Sequence, residues 1–118
     1  MPKTLLLISS AFIIVTALFL SCSKDDNGGN NTVVCTNTTK SFSTDVNPII
    51  QTFCNQSNCH NPGSTNGPGA LTNYSQVFNA RNAIRGQVAA GLMPQNTTLT
   101  TEQKNSIICW IDSGAPNN

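Results

Sequence analysis

The sequence predicts an all-α domain carried behind an N-terminal export signal. Two apolar patterns support that fold class. Val46, Ile49, Ile50 and Phe53 recur with helical period, and Ile107, Ile108, Trp110 and Ile111 form a second helical face. No strand pattern competes with them. The 118 residues leave room for one domain. Six Lys and Arg against five Asp and Glu give a net charge of +1, with neither a basic stripe for nucleic acid nor an acidic tail.

Residues 1–21 read as a targeting segment. Lys3 supplies the positive start, and an apolar run from Leu5 to Leu20 ends at Ser21-Cys22. The run is short for a hydrocarbon core of about 30 Å, and no positive stop-transfer cluster follows it. Phe19-Leu20-Ser21-Cys22 resembles a lipobox, with Phe19 where leucine is usual. The resemblance implies that Cys22 is acylated and becomes the new N-terminus of a lipid-anchored chain. Ser23-Lys24-Asp25-Asp26 looks like the export tag of some outer-membrane lipoproteins. The expected location is therefore the bacterial outer membrane, facing either the periplasm or the cell surface. Residues 22–41 form a polar, Gly-rich tether around Asn27-Gly28-Gly29-Asn30-Asn31, which spans about 25 Å as a random coil.

The folded domain is expected over residues 42–118, in three to four short helices. The first begins after Asp45, which caps it, with Pro48 in the first turn where a missing N–H is tolerated. Gly and Pro make residues 61–73 a loop. A second helix covers Tyr74 to Arg81, with Val77 and Phe78 inward, and Ala83 to Ala90 form another before Gly91. The last helix opens with Thr100 and Gln103 as a capping box and stops at Gly114 before Pro116. Phe42, Phe53, Tyr74, Phe78 and Trp110 are the domain's only aromatics. A unit this small usually needs staples or a cofactor to complete its core.

Cys54-Asn55-Gln56-Ser57-Asn58-Cys59-His60 supplies a candidate site at the end of the first helix. Covalent haem attachment ordinarily uses C-x-x-C-H, in which two thiols join the porphyrin vinyl groups and the adjacent histidine ligates the iron. The C-x4-C-H spacing found here resembles a minority form of that motif. His60 is the only histidine, and Met93 is the only methionine outside the signal segment. A His/Met-ligated iron needs one of each. Pro94 biases Met93 toward an extended conformation, suited to a ligand presented from a loop.

Cys54, Cys59 and His60 after a short helix, Met93-Pro94 in a loop, and a closing helix with Trp110-Ile111-Asp112-Ser113-Gly114-Ala115-Pro116 resemble a small class I cytochrome c domain. The likeness is greatest to domains of bacterial lipoproteins whose last helix ends in W-I-x-x-G-A-P, and it covers residues 42–116. It implies helices wrapped around one covalent haem c, with first and last helices packed across each other. Cys54 and Cys59 would form the thioethers, His60 would be the proximal ligand and Met93 the distal ligand. The longer spacing leaves open whether one thiol or both are joined. With Cys22 assigned to lipid and two cysteines to haem, Cys35 and Cys109 remain. They are expected to pair, stabilising the fold by roughly 4 kcal/mol through chain entropy; otherwise both are free thiols.

The implied function is electron transfer with redox partner proteins, without catalysis, because both axial positions are filled. Few charges mean brief docking without strong electrostatic steering. Two readings from other classes use the same residues. One is a zinc site at Cys54, Cys59 and His60 with Cys35 or Cys109. The other is a binding or adhesion lipoprotein stapled by Cys54–Cys59 and Cys35–Cys109, without cofactor. A haem site with Met93 unbound would instead suit ligand sensing or peroxidase-like chemistry.

Overall fold

Burial of Phe42 starts the first helix earlier than Asp45, where sequence patterning puts it. The computed structural model describes residues 32–36 and 38–118. The expected signal segment, Cys22 and most of the tether lie outside those residues. Among them the chain is all-α, with three helices and no strand.

The first helix, α1, covers residues 42–54 in three contiguous pieces, Phe42–Val46, Asn47–Ile49 and Ile50–Cys54. Phe42, Val46 and Ile50 face the core at i, i+4 and i+8. Ile49 and Phe53 are partly buried against it. Asp45 still serves the helix start, but from inside: its carboxylate accepts the Ser41 N–H at 2.8 Å, as the reach-back member of a capping box does. Two further orphan donors are met from far along the chain. Phe42 N–H donates to Asn118 Oδ1 at 2.8 Å, and Ser43 N–H to the Asn118 main-chain oxygen at 2.8 Å. Pro48 falls in the α-helical middle piece and brings no N–H. On either side the helix winds wide, with i to i−5 bonds from Asn47 to Phe42 and from Asn55 to Ile50.

The two middle helices expected from the sequence are one, α2, at Tyr74–Ala89. Asn73 caps it by accepting the Gln76 N–H at 3.0 Å. Val77, Ala80, Ile84 and Val88 form a single buried stripe that keeps its register through residue 82. Asn82 and Gly86 are exposed on the opposite side, so neither obstructs packing. Burial of that stripe outweighs their weak helix propensity. Phe78 is only half-buried and carries the Arg81 guanidinium over its ring at 4.0 Å.

The last helix, α3, runs Thr101–Asp112 and opens with the Thr100/Gln103 capping box. Six successive residues from Ser106 to Ile111 are buried, where a surface helix would show one stripe. α2 packs on α3, as does the Phe42–Val46 turn. A disulfide joins Cys109 of α3 to Cys35 across 74 residues of sequence, with 5.3 Å between Cα atoms.

Trp110 is fully buried where all three helices meet. Its ring centroid lies 5.4 Å from Phe42 and 6.4 Å from Tyr74, and Phe42 meets Tyr74 edge-on at 5.1 Å. Trp110 Nε1 donates to Pro116 O and the Tyr74 hydroxyl to Ala115 O, each at 2.9 Å. The W-I-x-x-G-A-P segment thus has a structural explanation. α2 and α3 end alike, each with a left-handed glycine just past the helix, Gly91 at φ 69° and Gly114 at φ 101°. In α3, Ala115 N–H reaches Trp110 O at 2.9 Å and Gly114 N–H reaches Ile111 O at 3.0 Å. This turn sends the tail past the indole toward the start of α1.

Replacing Trp110 by alanine should cost about 3–5 kcal/mol, measured as a fall in the urea midpoint at unchanged slope. Trp110→Phe should cost less, since it keeps most of the buried surface and loses the bond to Pro116.

Candidate functional site

Folding leaves one side of the core open as a cavity of about 750 Å³, within the usual range for small-molecule and cofactor sites. Its floor is core: Ile50 of α1, Leu71 of the loop, and Ile84 and Val88 of α2. Phe53 adds apolar wall beside them. No Asp, Glu, Lys or Arg is found among the described residues lining it. The same lining contains Cys54, Cys59, His60 and Met93. Four residues singled out in two separate stretches of sequence therefore meet at one largely apolar hollow.

Each is delivered by a local feature. Cys54 is the last residue of α1, and His60 N–H returns to the Cys54 carbonyl at 3.1 Å. That bond closes a bulge over the intervening residues, with Asn58 in the left-handed region at φ 65°. Met93 follows the glycine turn that ends α2, in which Leu92 N–H and Gly91 N–H bond to Gln87 O and Val88 O at 2.9 and 3.1 Å. The Met93–Pro94 peptide bond is cis. Met93 and both thiols are partly buried, while His60 is 9% exposed.

The surroundings of His60 fix which nitrogen can act. Its Nδ1 lies 2.8 Å from the Gly69 carbonyl. A carbonyl oxygen only accepts, so Nδ1 carries a proton, and in the neutral imidazole the lone pair is on Nε2. Nε2 has no partner among the described residues, and it is not sealed from the open cavity. This is the arrangement by which metal-binding histidines are oriented. Leu71 N–H donates to His60 O at 2.9 Å and ties the same loop down a second time. Gly69 sits at φ 86°, and a Cβ there would press on Ser64 O at 3.3 Å, so the backbone that presents the acceptor needs glycine. In the sequence Gly67-Pro68-Gly69 shows only as loop punctuation, and no side chain at Gly69 signals this role.

Cys54 and Cys59 are free cysteines. Burial, with a smaller contribution from Cys59, pushes the Cys54 thiol up to about 11. The Cys35–Cys109 disulfide takes both residues considered as a fourth zinc ligand. Among the described residues no three His, Cys, Asp or Glu side chains gather as a metal site. No described helix is long and apolar enough to cross a membrane. Family models, curated proteins and solved structures yield no match to the chain.

The raised Cys54 value has a sign that can be tested. Because it lies above the unfolded value near 9, the thiol's contribution to stability is whole below that pH. It is lost as pH rises through about 11. At pH 8 iodoacetamide should modify Cys54 much more slowly in the folded, cofactor-free chain than in urea, as read by peptide mass mapping.

Proposed function

We propose that this protein is an electron carrier of the bacterial cell envelope that holds one c-type haem in the cavity. Thioether bonds to Cys54 and Cys59 would attach it, with His60 and Met93 as axial ligands. The observation that carries the reading is the meeting of those four residues around one uncharged, largely apolar cavity. The helices would then form a small cytochrome c-like wrap, and the N-terminal lipid on Cys22 would hold it at the outer membrane near its redox partners.

The donor set fits the group. Each thiol can add across a vinyl double bond, sulfur to one carbon and hydrogen to the other. His60 presents Nε2 with its lone pair free because Nδ1–H is committed to Gly69. Met93 offers a neutral thioether. Haem bound there supplies a one-electron Fe(III)/Fe(II) couple. Met93, as a thioether ligand, and the apolar floor of Ile50, Leu71, Ile84 and Val88, by excluding water, would both favour the reduced state of a bound haem. With a protein ligand on each side no substrate position remains, which suits a carrier and not an enzyme. The low net charge of +1 suits partners that dock briefly.

Chain matured with a haem-attachment system should give a pyridine haemochrome spectrum and the mass of one added haem. Colourless mature protein would sink the proposal. Met93→Ala should keep the haem and lower the potential in a redox titration. His60→Ala should abolish stable holoprotein.

A further inference from the structure

The two extra residues between Cys54 and Cys59 lengthen the chain that must bring both thiols and the histidine to one face. A longer spacer has more conformations, so something outside it must fix its exit. The bulge itself makes only two internal closures, Cys59 N–H to Gln56 O at 3.0 Å and His60 N–H to Cys54 O at 3.1 Å. Its outward carbonyls are held from the following loop. Asn66 Nδ2 donates to Asn58 O at 2.8 Å and to Cys59 O at 3.3 Å. The Ser64 hydroxyl donates to the same Cys59 oxygen, and Asn66 N–H donates back to Ser64 Oγ at 3.2 Å.

We propose that Asn66 is a positioning residue for the attachment site. Its side-chain amide spans the Asn58 and Cys59 carbonyls and so sets the angle at which Cys59 and His60 enter the cavity. The inference rests on the haem reading and adds to it the means by which a four-residue spacer is accommodated. Only a side chain with two hydrogens on one nitrogen can serve both carbonyls in this way. Aspartate has the same shape, but it would set a carboxylate against two carbonyl oxygens. Asn66 is itself exposed and, though it also borders the cavity, lies outside the buried core, so its loss should disturb the spacer and leave helix packing intact.

The test is maturation of wild type, Asn66→Asp, Asn66→Gln and Ser64→Ala with the same haem-attachment system. Holoprotein yield, the α-band of the pyridine haemochrome and the reduction potential are the readouts. The α-band moves to longer wavelength when one vinyl group stays unsaturated, so it reports the second thioether separately from haem content. Asn66→Asp should lower yield by about fivefold or more, the factor that the loss of even one of its two hydrogen bonds carries. It should also shift the α-band toward the single-thioether form, with Asn66→Gln recovering part of both. Ser64→Ala should move the band the same way by less, and it decides the matter if circular dichroism shows Asn66→Asp unfolded. A coloured wild type with wild-type yield, band and potential in the variants overturns the role of Asn66 alone. A colourless wild type overturns the haem reading, and the positioning role with it.

Discussion

The fold is organised by one desolvated indole. Trp110 touches Phe42 of α1 and Tyr74 of α2, so a single side chain ties all three helices together. Its N–H and the Tyr74 hydroxyl both donate to the tail beyond α3, which turns two polar atoms of the core into a latch for the chain end. The tail then delivers Asn118 to the orphan donors at the start of α1. Helix packing, helix termination and helix capping are thus successive results of one burial, in an order set by the left-handed turn at Gly114.

The cavity is the other side of the same economy. A chain with so few large apolar residues completes a tight centre around Trp110 and leaves the faces of Ile50, Leu71, Ile84 and Val88 lining a hollow. Apolar surface left beside water forgoes roughly 25 cal/mol for each Å² that a ligand could cover. A flat, largely apolar cofactor would recover that contribution. In the proposed reading the haem is therefore part of the hydrophobic core as well as the redox centre.

The sequence makes some of this legible because some signals are local. The Thr100/Gln103 box, the apolar face of α3 and the glycine stop at Gly114 are all decided within a few residues, and the structure has them where the pattern puts them. The candidate residues Cys54, Cys59, His60 and Met93 stand out by residue type and spacing, and the fold brings them to the lining of one cavity. Signals that depend on distant partners were invisible. Nothing near Phe42 tells that residue 118 will cap its helix. Nothing around Asn82 tells that Ile84 and Val88 continue the stripe begun by Val77. The acceptor for His60 is a glycine carbonyl, which has no side chain to announce it.

The Cys35–Cys109 crosslink decides where mechanical load enters the domain. Whatever precedes residue 35 is fastened to the middle of α3, and neither α3 nor residues 32–36 contribute to the cavity wall. A pull on the chain at Cys35 would be borne by α3, whose residues from Ser106 to Ile111 are buried. The covalent joint and the hollow thus use separate parts of the described chain, so strain at the crosslink does not pass directly into the residues around the hollow.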